Sequence, residues 1–279
     1  MNLRQALAHA RDILADSNIE DASLEGEILL RHVLGMNRSQ LYSGLDLDLI
    51  PEKEKSLNEL LERRRQGEPS AYITGHREFY GLDFRVDRNV LIPRPESELL
   101  VEKAINLART QGILKIADIG TGCGAIAISL AVNLPQATIY ATDISASVLE
   151  ITRSNCQWHG VADRVVLLQG DLLEPLAEPV DMIVANLPYV READLPRRGP
   201  LSYEPALALN GGKEGLEKIK SLCRQAGEKL YKCGCFLLEI GDGQVKPVLA
   251  VWRKAFPAAA IEVYKDLASI ERVVSLRLT

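Results

Sequence analysis

Apolar side chains in the first 75 residues recur three and four positions apart: Leu3, Leu7, Ala10, Ile13 and Leu14, then Leu24, Ile28, Leu29 and Val33, then Leu57, Leu60 and Leu61. That spacing puts them on one stripe of a 3.6-residue helix, so the segment predicts a small helical bundle. Ser17-Asn18 closes the first helix and Gly35 caps the second. Near Gly75 the pattern changes. Residues 79–86 gather aromatic and β-favouring side chains around Gly81-Leu82-Asp83, which predicts a hairpin. Ile92-Pro93-Arg94-Pro95 then forms a stiff, extended connector, because proline fixes its own φ and disfavours helix in the residue before it. A helix is expected over 96–108.

From Leu114 onward short apolar runs alternate with helical stretches. Strands are predicted over 115–119, 138–142, 165–168, 182–185 and 236–240, with helices over 125–133, 146–159 and 216–230. Alternation of this kind implies an α/β domain with a mostly parallel sheet covered on both faces. Two further strands, 261–264 and 272–278, read as an antiparallel hairpin at the sheet edge. The expected organisation is a helical domain over 1–75, a hairpin and proline-rich linker over 76–95, and an α/β domain over 96–279.

Composition narrows the class of function. With 279 residues, 47% of them hydrophobic and 25% charged, the chain has the makings of a two-domain globular protein. Its net charge of −5 argues against avid nucleic-acid binding, which needs Lys and Arg to neutralise phosphates. Residues 1–75 hold 9 Lys and Arg against 13 Asp and Glu, a balance better suited to a protein partner. Arg63-Arg64-Arg65 reads as a solvated helix face, with partner contact as the alternative.

No membrane span is expected: the weakly polar stretch 113–135 contains Lys115 and Asp118 and is broken by Gly120, Gly122 and Gly124. No secretory leader is visible at Met1-Asn2-Leu3-Arg4-Gln5, so a cytoplasmic location is expected. The five cysteines form no CxxC pair and no metal-ligand spacing, and the four histidines are scattered; no metal is expected.

The strongest local signal is Asp118-Ile119-Gly120-Thr121-Gly122-Cys123-Gly124, between a predicted strand and a predicted helix. Glycines there let the backbone turn tightly and approach a ligand, and the helix beyond offers free N–H groups. The same pattern satisfies a dinucleotide fingerprint. Asp118 tilts the choice, because a carboxylate ahead of the glycines suits a cationic ligand such as S-adenosylmethionine and suits a pyrophosphate poorly. Asp143, ending the next strand, can accept both hydroxyls of a ribose, or it can cap the helix beginning Ser145-Ala146. Asp171, in Gly170-Asp171-Leu172 after the third strand, can accept from the exocyclic amine of adenine while Leu172 touches the ring. The plainer alternative is a solvated loop acid.

Asn186-Leu187-Pro188-Tyr189 follows the fourth strand, at the carboxyl edge where open α/β sheets bind ligands. The tetrapeptide resembles the Asn/Asp-Pro-Pro-Tyr signature of methyltransferases that act on nitrogens conjugated to a planar π system. Such a nitrogen is a poor nucleophile because its lone pair is delocalised. The Asn186 side-chain carbonyl and the Pro188 backbone carbonyl can each accept one N–H of an NH₂ group, fixing the nitrogen for in-line displacement. Tyr189 can pack against the planar group.

Taken with Gly75-His76-Arg77-Glu78-Phe79-Tyr80-Gly81, Leu91-Ile92-Pro93-Arg94-Pro95-Glu96-Ser97-Glu98 and Tyr203-Glu204-Pro205, these motifs make the chain resemble the release factor glutamine methyltransferases (the PrmC/HemK family) over nearly its whole length. The resemblance implies a Rossmann-like, seven-stranded class I methyltransferase domain behind a helical bundle and a β-hairpin linker. It implies methyl transfer to N5 of the glutamine in the Gly-Gly-Gln motif of class 1 peptide-chain release factors, leaving S-adenosyl-L-homocysteine. Carried over by position, Asp118, Gly120, Thr121, Gly122, Cys123, Gly124, Asp143, Asp171, Leu172 and Asn186 surround the cofactor, and Asn186, Leu187, Pro188 and Tyr189 hold the substrate amide. Neither membrane association nor stable nucleic-acid binding is implied. The family usually has Pro where this chain has Leu187, and Asn-Leu-Pro-Tyr also occurs in rRNA adenine dimethyltransferases. The alternative function is therefore adenine N6-methylation of RNA or DNA.

Overall fold

The computed structural model describes residues 1–278. They divide into two compact units, one formed by Met1–His76 with Arg197–Tyr203, the other by Arg77–Pro196 with the chain from Glu204 onward.

The first unit contains α1 (Leu3–Asp16), α2 (Ala22–Leu34), α3 (Arg38–Ser43), α4 (Pro51–Arg65) and α5 (Ser70–Thr74). Asn2 and Gln5 start α1 with a reciprocal capping box: Asn2 Oδ1 accepts from Gln5 N at 2.9 Å and Gln5 Oε1 from Asn2 N at 3.0 Å. Gly35 ends α2 in the left-handed conformation, at φ 68°. The core joins Leu3, Ala10 and Leu14 to Leu29, Leu30, Val33, Leu57 and Leu61. Two expectations fail here. Leu24, read as part of the apolar stripe, is exposed on the first turn of α2. Arg64, read with its neighbours as a solvated face, is buried and pairs with Glu25 at 2.9 Å, whereas Arg63 pairs with Glu68. The i, i+1 neighbours on a helix face different ways, so three consecutive arginines cannot share one environment. Tyr203 joins this unit by donating from its hydroxyl to Gln66 O at 3.1 Å.

Two short strands, β1 (His76–Phe79) and β2 (Leu82–Arg85), form the expected hairpin. The tip lies at Tyr80-Gly81, ahead of the Gly81-Leu82-Asp83 position expected. Both tip residues have positive φ, 53° and 74°, as a two-residue type I′ loop requires. The proline connector leads into a 3₁₀ turn at Pro95–Ser97, so α6 (Glu98–Gln111) starts two residues later than expected.

The α/β succession is β3 (Lys115–Ile119), α7 (Ala125–Asn133), β4 (Thr138–Asp143), α8 (Ala146–Trp158), β5 (Val165–Gln169), β6 (Val180–Ala185), α9 (Ala206–Leu209), α10 (Glu217–Lys229), β7 (Leu230–Glu239), α11 (Val245–Ala255), β8 (Ala260–Lys265) and β9 (Glu271–Arg277). The strands lie in the order β5-β4-β3-β6-β7-β9-β8. All run parallel except β9, which is antiparallel to both β7 and β8.

Period-two alternation sorts the strand residues between two buried faces. Ala117, Ile119, Ile183, Ala185, Phe236, Leu238, Val274 and Leu276 pack with Ile219, Leu222 and Ala226 of α10 and Val248 and Trp252 of α11. Their alternates Ile116, Met182, Val184 and Leu237 are equally buried. The Trp252 ring lies 4.8 Å from that of Phe236, centroid to centroid. Helix α11, absent from the elements predicted above, carries Pro247. The proline falls in the first turn, where an amide hydrogen has no helical partner anyway.

Candidate active site

A cleft of about 270 Å³ opens at the carboxyl ends of β3, β4, β5 and β6. Strand order reverses there, with β4 on one side of β3 and β6 on the other, leaving room between the loops that leave them. Its walls include Gly120, Gly122, Asp143, Asp171, Leu172, Asn186, Leu187 and Pro188, all singled out in the sequence.

The glycine loop is tied to the neighbouring strand, since Gly120 N and Thr121 N both donate to Thr142 O at 2.9 Å. Gly120, Gly122 and Gly124 all have positive φ, at 71°, 57° and 86°. At Gly124 a Cβ would also lie only 2.7 Å from Thr152 Cγ2, so space as well as conformation demands glycine. Thr121, Cys123 and Gly124 are buried behind the loop and do not line the cleft.

Asp118 lies deeper still and is fully buried. Its Oδ2 accepts from Thr121 Oγ1 at 2.7 Å and Ala127 N at 3.2 Å, so its visible work is to brace the loop against α7. Burial pushes its carboxyl up to about 7, against the pull of those two hydrogen bonds.

Asp143 stands on the cleft wall. Its Oδ2 accepts from Gly122 N at 3.2 Å and its Oδ1 from Ser145 N at 3.0 Å. The N-cap of α8 is Ser145, whose hydroxyl accepts from Val148 N. Asp143 therefore buttresses both the glycine loop and the helix entrance while its carboxylate borders the cleft. Burial raises its carboxyl pKa and the backbone donors oppose the rise. Asp171 is paired with Lys218 at 3.7 Å. Leu172 beside it has φ 55°, a left-handed conformation uncommon for leucine and of the kind that clusters at ligand sites.

After β6, Asn186 Nδ2 donates to Ser97 Oγ at 2.9 Å. Leu187 is buried, and its Cδ2 would lie 3.3 Å from a Cβ at Gly120, so the leucine packs against the glycine loop. Tyr189 is half-buried outside the cleft lining, with its ring edge against Gly241. Its hydroxyl pKa is raised by burial first and by the Glu239 charge second.

Several residues at this site were not singled out from the sequence as functional. The segment Leu209-Asn210-Gly211-Gly212-Lys213-Glu214-Gly215 pairs with the residue that follows the tetrapeptide: Val190 N donates to Leu209 O at 3.0 Å and Gly211 N to Val190 O at 2.8 Å. Gln244 Nε2 bridges Tyr189 O and Gly215 O, 3.2 Å from each. The visible signal was the glycine density of 211–215. A Cβ at Gly211 would sit 2.7 Å from Pro188 O and 2.8 Å from Tyr189 Cα. Gly211→Ala is therefore expected to destabilise the protein by about 1–3 kcal/mol, the usual cost of overpacking, read as a lowered denaturation midpoint with an unchanged m-value.

Two sequence motifs also meet. Glu204, buried, accepts from Ile92 N at 3.2 Å and pairs with Arg94, locking Ile-Pro-Arg-Pro to Tyr-Glu-Pro.

A seven-stranded sheet whose penultimate position holds the one antiparallel strand, with a glycine loop after its first parallel strand, defines a class I methyltransferase fold. The hMettl16 catalytic domain shares it, with TM-score 0.58 and 16% identity over 77% of this chain and 84% of that one. So does the ribosomal protein L11 methylase of Lactobacillus delbrueckii subsp. bulgaricus, with TM-score 0.52 and 20% identity over 70% of this chain and 86% of that one. Residues 5–75 match the PrmC N-terminal domain and residues 95–197 the methyltransferase small domain. The chain is 40% identical to the release factor glutamine methyltransferase of Moorella thermoacetica, over 98% of this chain and 97% of that one. Identity to its counterpart in Geobacter sulfurreducens is 38%, over 99% and 96%. The chain belongs to the release factor glutamine methyltransferase family.

Proposed function

We propose that this chain methylates N5 of the glutamine in the Gly-Gly-Gln motif of class 1 peptide-chain release factors, with S-adenosylmethionine as methyl donor. The observation that carries the reading is 40% identity to a release factor glutamine methyltransferase across nearly the full length of both chains, including the helical unit as well as the catalytic one. The cleft suits the donor: Leu172 and Leu187 supply apolar walls, Asp143 and Asp171 supply acceptors for hydroxyl and amine groups, and Gly122 leaves open space where a side chain would intrude. Asp143 and Asp171 would hold the nucleoside and the Gly120–Gly122 backbone its tail. When bound, the cofactor supplies an electrophilic methyl group.

This chain's own residues then deal with the acceptor. Asn186 and Pro188, at the cleft wall, accept the two hydrogens of the glutamine amide and aim its nitrogen. That positioning lowers the barrier because a conjugated amide is weakly nucleophilic and gains most from fixed dipoles. No strong base is required, since the methylated, cationic nitrogen sheds a proton readily. The helical unit supplies recognition of the folded release factor, consistent with its acidic surface balance and with exposed Leu24, Tyr42, Leu47 and Ile50. Among the described residues no helix is long and apolar enough to cross a membrane.

The decisive experiment incubates the purified protein with radiolabelled S-adenosylmethionine and a class 1 release factor. Label should enter the release factor and vanish when the Gly-Gly-Gln glutamine is replaced. Label entering RNA or DNA instead would overturn the reading in favour of adenine N6-methylation.

A further inference from the structure

Asn186 poses a question that its position alone does not answer. A primary amide has a donor end and an acceptor end, and the proposed chemistry needs the acceptor end toward the cleft. Its neighbour Ser97 cannot enforce that choice alone. A hydroxyl both donates and accepts, so it could satisfy the amide either way round.

The residue behind them removes the ambiguity. Glu239 ends β7 and is 2% exposed; Ser97, in the 3₁₀ turn ahead of α6, is 4% exposed. Glu239 follows Leu238, the register partner of Ala185, and so stands beside Asn186; Ser97 and Asn186 both pull its carboxyl pKa down. Its Oε2 is buried with no partner among the described residues. An ionised carboxylate only accepts. Such an acceptor would draw the Ser97 hydroxyl hydrogen toward itself and leave Ser97 a lone pair for the Asn186 NH₂, which faces Ser97 at 2.9 Å.

We propose that Glu239, working through Ser97, is a positioning residue that sets the polarity of this relay and so keeps Asn186 Oδ1 directed toward the acceptor nitrogen. The proposal rests on the reading of Asn186 given above and adds what holds that residue in its working orientation. A buried carboxylate with an unpaired oxygen is poor for stability, which is why a functional reason fits it better than a structural one.

The surroundings also set when the relay works. Burial pushes the Glu239 carboxyl up to about 7, while Ser97, the Arg272 charge and Asn186 pull it down and the Glu96 charge pushes it up; Tyr189 faces it as well. Protonated, Glu239 becomes a donor, Ser97 can turn its hydroxyl toward Asn186, and the amide loses its preference.

The test compares wild type, Glu239→Gln, Asn186→Ala and the double variant. Glutamine keeps the shape of Glu239 but brings an NH₂ that can donate to Ser97. Expected for Glu239→Gln is a kcat lower by about tenfold or more, cofactor affinity within about twofold, and a melting temperature equal to or above wild type. The wild-type fall in kcat toward acid pH should be absent from this variant. Added to Asn186→Ala, Glu239→Gln should cost nothing further, because it acts only through that amide. A Glu239→Gln enzyme with wild-type kcat, or losses that multiply in the double variant, overturns the proposal. A fully active Asn186→Ala enzyme instead overturns the reading on which it rests.

Should Glu239→Gln fold poorly, Ser97→Ala breaks the same relay and must show the same loss and the same non-additivity. An activity-independent check is the pair of Asn186 Nδ2 protons seen by ¹⁵N NMR. They should exchange slowly with solvent in wild type and faster in Glu239→Gln, and equal exchange counts against the relay.

Discussion

Replacing Asn186 by alanine should lower kcat by about 10²–10³-fold while leaving the dissociation constant for S-adenosylmethionine nearly unchanged. The magnitude is that of removing one preorganised donor or acceptor from a site where the protein supplies positioning and dipoles rather than acid–base power. The separation of the two effects follows from where the side chain sits. Asn186 is anchored from behind by Ser97 and borders the cleft, whereas the bracing of the glycine loop runs through Asp118, Thr142 and Asp143, none of which it contacts by hydrogen bond. Single-turnover kinetics with saturating cofactor, together with calorimetric titration of the cofactor, would read both quantities. Equal losses in the two would mean that Asn186 serves the cofactor rather than the acceptor.

Asp143→Ala should show the reverse division. The carboxylate accepts from Gly122 N and Ser145 N, and it borders the cleft where the ribose would lie. Its loss removes charge-assisted hydrogen bonds worth about 1.5–3 kcal/mol apiece and frees the glycine loop. Cofactor affinity is expected to fall about tenfold to a hundredfold, with kcat at saturating cofactor changed far less. Asp143→Asn keeps an acceptor for one of the two backbone donors and should fall between. Titration calorimetry on the three proteins checks the order. An Asp143→Ala protein that binds the cofactor like wild type would leave the residue a helix-entrance brace and nothing more.

The sheet was legible because both of its faces are covered. Strands buried on two sides become short apolar runs bounded by polar residues, and the runs at 115–119, 138–142, 165–168 and 182–185 mark β3 to β6 with errors of two residues or fewer. The glycine loop and Asn-Leu-Pro-Tyr were legible for a related reason, since backbone approach and strand-exit geometry restrict residue type. What escaped notice obeys looser rules. The relay partners Ser97 and Glu239 lie 142 residues apart in the chain, and nothing local in either segment announces a meeting that only the adjacency of α6 and β7 creates.

Asp118 has two sides. Its position before the glycines suggests that it serves a cationic ligand by contact or through its local field; its Oδ2 accepts from Thr121 and Ala127, while its buried Oδ1 has no hydrogen-bond partner among the described residues.

The placement of β9 has a consequence for how the protein comes into being. This segment, made after both of its neighbours, must slot between β7 and β8, pairing Cys235 to Glu239 on one flank and Ala260 to Lys265 on the other. Until it arrives, β7 presents a bare flank of unpaired amides and carbonyls, a surface prone to self-association. The catalytic unit therefore acquires its finished sheet only once residue 277 has emerged, and a nascent chain halted upstream would carry a sticky, incomplete core.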